Sequence, residues 1–172
     1  RTHRISIAGS SAFDYDQAGL AGHRVSVAVD VSRAGLRIAI SEERVRDIVR
    51  TVCRRERVTD ALVSVAFVSN SRIARLNREY LGHSGATDVI TFELRSGDGT
   101  SQGPRPVVGD IYIAPTVAAA NAREARVGIR EELTRLVVHG TLHVLGEAHD
   151  EDADRMDGEM WRRQEALVAA IV

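Results

Sequence analysis

Hydrophobic residues repeat with two different periods along this chain, and the two periods predict strands and helices in alternation. Residues 24–31 read R-V-S-V-A-V-D-V, and this apolar–polar alternation predicts a half-buried strand. Apolar, β-branched runs over 62–68, 88–94 and 107–114 predict three more strands. The last two strands flank the Gly- and Pro-rich stretch 95–106, so we expect them to pair as a hairpin.

Other segments place apolar residues three or four positions apart, as helices do. Ser41 is predicted to cap a helix that carries two acidic residues in its first turn. Further helices are expected to begin at Asn70 or Ser71, at Thr116 as a cap, at about Arg130 and at about Glu151. The fold class is therefore predicted to be α+β: a single layered domain with a mostly four-stranded mixed sheet, packed with about five helices.

The composition fits an ordinary globular domain and excludes several other classes. The 172 residues are 44% hydrophobic and 27% charged, and no stretch approaches the roughly 20 apolar residues of a membrane span. Residues 1–23 lack periodicity and are predicted to form a loosely ordered arm, so the domain proper is 24–172. The single cysteine, Cys53, excludes an internal disulfide framework and fits a cytoplasmic protein. The net charge of −1 means that nucleic acid would have to bind a local basic face.

The most informative motif is H-G-T-L-H-V-L-G-E-A-H, from His139 to His149. On a helix, His139 and His143 project from one side, one turn apart. Gly146 then allows a left-handed turn, which can bring His149 back toward the other two imidazoles. Three converging histidines with an open fourth position are typical of catalytic zinc, so one zinc ion held by His139, His143 and His149 is predicted.

The same spacing is the ligand frame of the metzincin proteases, which makes this a zincin-like metal helix. Those enzymes carry a glutamate general base directly after the first histidine, but this chain has Gly140 there. The bare backbone at Gly140 serves either close approach of a substrate to the metal or close packing of the helix, and the sequence leaves both readings open.

Three segments together resemble the YbeY family of bacterial rRNA maturation factors. They are L-N-R-E-Y-L at 76–81 with T-D-V-I-T-F at 87–92, then G-D-I-Y-I at 109–113, then the histidine motif. The resemblance implies a zinc-dependent, single-strand-specific endoribonuclease of the cytoplasm. It implies a role in maturation of the 3′ end of small-subunit (16S) rRNA and in ribosome quality control, with single-stranded rRNA and small-subunit components as partners. It places the family's metal ligands on His139, His143 and His149.

The chain departs from the family pattern at three positions. Leu81 stands where an arginine implicated in activity is common, Ala86 where proline is common, and Ala148 where an acidic residue is common. Arg78, one helical turn before Leu81, is a candidate catalytic substitute, with a solvated helix arginine as the alternative. Asp150 could replace the missing carboxylate.

The remaining site candidates come from the start of the third predicted strand and from the metal helix. Asp88 is a candidate catalytic residue that would orient a ligating histidine, or else a turn-capping aspartate. Thr87 and Arg135 are candidate substrate contacts, the latter to phosphate. The mechanism expected is a zinc-activated water that cleaves a phosphodiester. The alternatives are a metalloprotease on the same three-histidine frame and a non-catalytic ribosome-assembly factor with structural zinc.

Overall fold

Within the residues that the structure describes, the sheet has five strands, one more than predicted. The computed structural model describes residues 4–7, 26–94, 106–146 and 158–172. Strands β1 (Arg4–Ile7), β2 (Val27–Ser32), β3 (Ala61–Phe67), β4 (Val89–Leu94) and β5 (Val107–Ile113) lie in the order β1-β4-β5-β3-β2. Strands β4 and β5 pair antiparallel, as the predicted hairpin requires, and the other three pairings are parallel. The predicted mixed sheet and α+β class are confirmed.

Strand β1 corrects the prediction that all of residues 1–23 form a loose arm. Arg4–Ile7 pairs with β4, from Arg4 opposite Thr91 to Ile7 opposite Leu94. Four residues are too few to establish a hydrophobic period, and the partner that completes the strand lies far away in the sequence. The rest of the predicted arm lies outside the described residues.

The described part of the chain contains five helices that connect and cover the strands, in agreement with the predicted number of about five. They are α1 (Glu42–Arg55), α2 (Asn70–Leu81), α3 (Pro115–Ala125), α4 (Ile129–Val144) and α5 (Glu159–Ile171). The Ser41 side chain caps α1 by accepting a hydrogen bond from the Arg44 amide at 3.2 Å. The prediction that Thr116 caps α3 is wrong, because Pro115 already occupies the first turn and suits that position without an N–H.

The core lies on both sides of the sheet. On one side, α4 packs against β4 and β5, α1 packs against β2 and β3, and α5 packs against α4, around residues such as Val49, Val137 and Ile111. On the other side, α2 packs on β4 and β5 through Ile73 and Phe92, among others. Because α4 lies against the centre of the sheet, its sequence must present an apolar side to the strands and a polar side to α5. None of the described helices is long and apolar enough to cross a membrane.

Candidate metal centre

His139 and His143 lie one turn apart on α4, and their Nε2 atoms face each other at 3.1 Å. The two rings are nearly perpendicular, with an interplanar angle of 85°. Two ligands of a tetrahedral zinc ion with Zn–N bonds of about 2.0–2.1 Å stand about 3.3 Å apart. The separation in the protein is close to that value, so this donor pair fits a shared metal ion.

The two histidines differ in exposure. His143 is 2% exposed and lies among the buried residues of α4, whereas His139 is half-buried and lines a cavity of about 380 Å³. His143 would thus contact an ion from the protein interior and His139 from the wall of the cavity, so the ion could enter from the cavity. The other residues that line the cavity come from the start of β4, the end of α3, α4 and α5: Asp88, Ala125, Val127, Glu132, Arg135, Leu136, Trp161, Gln164 and Glu165.

Gln164 on α5 holds the outer nitrogen of His139. Its Oε1 lies 2.6 Å from His139 Nδ1, and the residue is only 2% exposed. A ligating imidazole usually donates its second N–H to such an oxygen, which fixes the orientation of the ring. The sequence analysis missed Gln164, because a helix 25 residues away supplies it and no spacing rule links the two positions.

The predicted turn after the two histidines is present. Helix α4 ends at Val144, and Gly146 has φ +102°, a conformation that favours glycine. The third predicted ligand, His149, lies outside the described residues, so the structure brings together two of the three histidines. Within the described ranges, no group of three or more His, Cys, Asp or Glu side chains is placed to hold a metal.

Gly140 is required by packing. A Cβ added at this position would lie 2.7 Å from Ile111 Cγ2 and 3.3 Å from Thr91 Cγ2, so the glycine lets α4 lie directly on the sheet. Position 140 faces the strands and not the cavity that His139 lines. This favours the packing interpretation of Gly140 over substrate access, and a protease-type glutamate there could not reach the cavity without displacing the helix.

Arg135 lies two turns above His143 in a cluster of carboxylates. Its guanidinium makes hydrogen-bonded ion pairs with Glu131 at 3.0 Å, Glu132 at 2.9 Å and Glu165 at 2.9 Å. Its side chain is 17% exposed. Burial lowers the pKa of Arg135, but the hydrogen bonds to Glu165 and Glu131 outweigh it and hold that pKa above its ordinary value. Arg135, which was predicted to contact phosphate, is therefore already paired with three acidic side chains.

The pKa values of two carboxyl groups in this cluster, Glu132 and Glu165, are shifted in opposite directions. Burial raises the pKa of Glu132, and the hydrogen bond from Arg135 only partly offsets that effect. For Glu165, burial also raises the pKa, but hydrogen bonds from Arg135 and Gln164 outweigh it, so the net shift is downward. Burial therefore dominates the pKa shift of Glu132, whereas hydrogen bonds dominate the pKa shift of Glu165.

Asp88 and Thr87 lie at the start of β4, on the edge of the cavity. Asp88 Oδ1 accepts hydrogen bonds from the Val89 amide at 2.8 Å and the Thr87 hydroxyl at 3.1 Å, and Oδ2 accepts one from Asn121 Nδ2 at 3.1 Å. Asp88 therefore ties β4 to α3 and lines the same cavity as His139. Arg78 is exposed on α2 and is absent from the residues that line this cavity. The catalytic and substrate roles of these residues stay predictions.

Comparisons with known proteins identify the family of this chain and agree with its fold. The family profile described as Endoribonuclease YbeY matches residues 31–172. Curated proteins named Endoribonuclease YbeY include one from Chlorobium phaeobacteroides, 32% identical over 132 residues that span 77% of this chain and 89% of the relative. Another, from Thermotoga petrophila, is 33% identical over 129 residues, 75% of this chain and 79% of the relative.

A solved structure shares the fold. The solution structure of a protein from Thermotoga maritima superposes with a TM-score of 0.55 at 24% identity, covering 83% of this chain and 88% of the other. The sheet, the histidine-bearing helix and the extent of the family match together define the class of protein. The chain belongs to the YbeY endoribonuclease family, and the resemblance stated from its motifs is confirmed.

Proposed function

We propose that this protein is a zinc-dependent endoribonuclease, specific for single-stranded RNA, that acts in the cytoplasm. Its proposed task is maturation of the 3′ end of 16S rRNA and ribosome quality control, with small-subunit components as partners. Family membership supports an endoribonuclease that processes rRNA. The zinc, the strand preference and the ribosomal role rest on the motif and on the geometry of α4.

One observation carries the proposal: two imidazole Nε2 atoms lie 3.1 Å apart beside a cavity. Two nitrogen lone pairs at that distance repel each other unless a proton or a cation lies between them. His139, His143 and His149 would hold the ion, the last of them brought back by the turn at Gly146. When bound, zinc supplies a Lewis acid for a phosphoryl oxygen and lowers the pKa of water to about 7.

The chain's own residues set the limits on how RNA enters this site. Among the described residues, the cavity is lined by three acidic side chains, Asp88, Glu132 and Glu165, and by one guanidinium, that of Arg135. This part of the lining repels phosphates. A phosphate contact by Arg135 requires that it release at least one carboxylate. RNA would therefore meet the metal from the open side of His139, with its other phosphates outside the carboxylate cluster.

The structure weakens the metalloprotease alternative. A peptidase with this frame needs a carboxylate after the first histidine, and position 140 is packed against Ile111. The cavity does contain other carboxylates, of which Asp88 is oriented by Thr87, Val89 and Asn121. Any base from the protein would come from such a residue and not from position 140.

A cleavage assay tests the proposal directly. Zinc-loaded protein and a His143→Ala variant are incubated with a single-stranded RNA from the 3′ region of 16S rRNA and with a duplex of the same sequence. We expect cleavage of the single strand only, with loss in the variant and on adding a chelator. Cleavage of casein instead would support the protease. Bound zinc with no cleavage of free RNA or of RNA in the small subunit would support the assembly factor.

A further inference from the structure

The outer side of the candidate metal centre is a connected chain of polar contacts that runs from Arg135 through Glu165 and Gln164 to His139. Gln164 Oε1 lies 2.6 Å from His139 Nδ1, and Gln164 Nε2 donates to Glu165 Oε1 at 3.0 Å. Arg135 binds both oxygens of Glu165, at 2.9 Å from Nε and 3.3 Å from Nη2. Every contact joins a side chain of α4 or α5 to the next.

The contact with Glu165 determines which end of the Gln164 amide faces His139. A carboxylate can only accept hydrogen bonds, so the NH₂ group of Gln164 must point at Glu165. A flipped amide would place two acceptor oxygens 3.0 Å apart in a site that is 2% exposed. The amide oxygen is therefore the atom that faces the imidazole.

The amide oxygen in turn determines the tautomer of His139. An oxygen at 2.6 Å from Nδ1 requires a hydrogen on that nitrogen. A neutral imidazole has one N–H, so Nε2 keeps its lone pair. That lone pair points toward His143 Nε2, 3.1 Å away, where the metal would lie.

We propose that Gln164 is a positioning residue: anchored by Glu165, and through it by Arg135, it keeps the hydrogen of His139 on Nδ1 and presents Nε2 as a ready metal ligand. This inference rests on the proposed function, because it explains the orientation of His139 by the binding of a metal ion. It also gives Arg135 a role other than phosphate contact. The guanidinium binds Glu165 at two points, which fixes the carboxylate that orients the amide.

The first test measures the tautomer in the metal-free protein. Long-range proton–nitrogen correlation spectra, with His139 assigned by comparison with His139→Gln, should show the Nδ1–H form. The Gln164→Leu variant removes the acceptor at similar size, and we expect a mixture of both tautomers. The double variant Gln164→Glu/Glu165→Gln retains an acceptor for Nδ1 and exchanges the donor and acceptor in the contact between positions 164 and 165, so it should keep the Nδ1–H form. Arg162→Leu, an exposed position on the same helix, is the matched control and should leave the spectrum unchanged.

The second test measures the affinity for zinc by competition with a chromogenic chelator at pH 7. Loss of a partner behind a ligating histidine typically weakens metal binding about 10–100-fold, and we expect that loss in Gln164→Leu. The double variant Gln164→Glu/Glu165→Gln should bind zinc at least as tightly as the unsubstituted protein. A purely structural role for Gln164 would lower thermal stability in both variants without separating their affinities.

The outcomes separate this inference from the proposed function. If zinc binds but Gln164→Leu changes neither the tautomer nor the affinity, the positioning role is wrong and the proposed function stands. If the unsubstituted protein shows the Nε2–H form of His139, the inference is overturned even should Gln164→Leu fail to fold. If the unsubstituted protein binds no zinc, the proposed function itself fails. The proposal that Gln164 orients His139 for metal binding then fails with it.

Discussion

The two sides of helix α4 show how differently packing and chemistry constrain one segment of chain. Toward the sheet, Gly140 and Val144 lie so close to the strands that a Cβ at Gly140 or at Gly109 of β5 would come within 2.7 Å of a neighbouring side chain. Toward α5, His139 and Arg135 line an open cavity and are held by hydrogen bonds. On the side toward the sheet, the space between helix and strands limits which residues fit. On the side toward α5, the hydrogen-bond partners on α5 determine which residues fit.

This difference explains why the protein can share a zinc ligand frame with proteases and yet lack their base. Helix α4 lies directly on the sheet at the residue where a protease carries glutamate, and a side chain at that position would collide with Ile111. His139, one residue earlier, and His143, three residues later, instead have their Nε2 atoms facing each other at 3.1 Å. Substitutions on the two sides should therefore destabilise the protein for different physical reasons: crowding on the sheet side, and loss of hydrogen-bond and ion-pair partners on the α5 side.

The largest effect is expected on the sheet side. Gly140→Glu, which creates the protease pattern, should destabilise the protein by about 4 kcal/mol or more, because it forces a buried charge against Ile111. Gly140→Ala should cost only about 1 kcal/mol, since better helix propensity offsets part of the crowding. Urea unfolding measures both.

A control variant separates crowding from the introduction of a charge. Ala120→Glu places the same side chain at an exposed position of α3 and should change stability by less than about 0.5 kcal/mol. If Gly140→Glu were as stable as Ala120→Glu, or if it gained peptidase activity, the packing account of Gly140 would be wrong.

A smaller effect is expected on the polar side. Arg135→Leu leaves three carboxylates without their shared cation and should destabilise the protein by about 2–3 kcal/mol at pH 7, less than for a fully buried pair because the side chain is 17% exposed. The cost should shrink at pH 4, as the carboxylates take up protons. Arg162→Leu at an exposed site provides the comparison, and an equal cost at both pH values would count against the cluster.

The smallest expected effect is a change in pH dependence. Because the pKa of Glu165 is lowered in the folded protein from its ordinary value of 4.5, the unfolded chain takes up this proton first. The stability that Glu165 contributes is thus present above about pH 4.5 and lost as pH falls through its folded pKa. Glu165→Gln should flatten the loss of stability below pH 4.5 in urea titrations.

The pKa of Glu132 is shifted in the opposite direction, so a substitution of Glu132 serves as the matched comparison. Its pKa is raised, so the folded protein holds this proton more tightly, and the corresponding stability is lost as pH rises through the folded pKa. Glu132→Gln should therefore flatten a decline above pH 4.5 and leave the acid limb unchanged. Identical pH profiles for the two variants would contradict the opposite pKa shifts of these two carboxyl groups.

The predictions from sequence succeeded where a period or a short spacing carried the information. Alternation and apolar runs located four of the strands, and the i, i+4 spacing placed His139 and His143 on one side of α4. Strand β1 was missed because four residues show no usable period. The cap at Thr116 was wrong because Pro115 competes for the same first turn.

What the sequence could not supply were contacts between distant elements. Whether Gly140 serves packing or access depends on its distance to Ile111, and only the structure gives that distance. Gln164 and Glu165 are ordinary helix residues until α5 is placed beside α4. For Arg135, the sequence already places Glu131 and Glu132 one helical turn earlier, but the third acidic partner, Glu165, is seen only when α5 lies beside α4.

The most direct test of the account is the coordination of zinc in the loaded protein, measured by X-ray absorption at the zinc edge beside a His149→Ala variant. We expect one zinc ion per chain with three imidazole nitrogens and at least one oxygen that does not come from the protein, and one imidazole fewer in the variant. A site closed by four protein ligands, or a protein that binds no zinc at His139 and His143, would contradict the claim that α4 carries a catalytic metal centre.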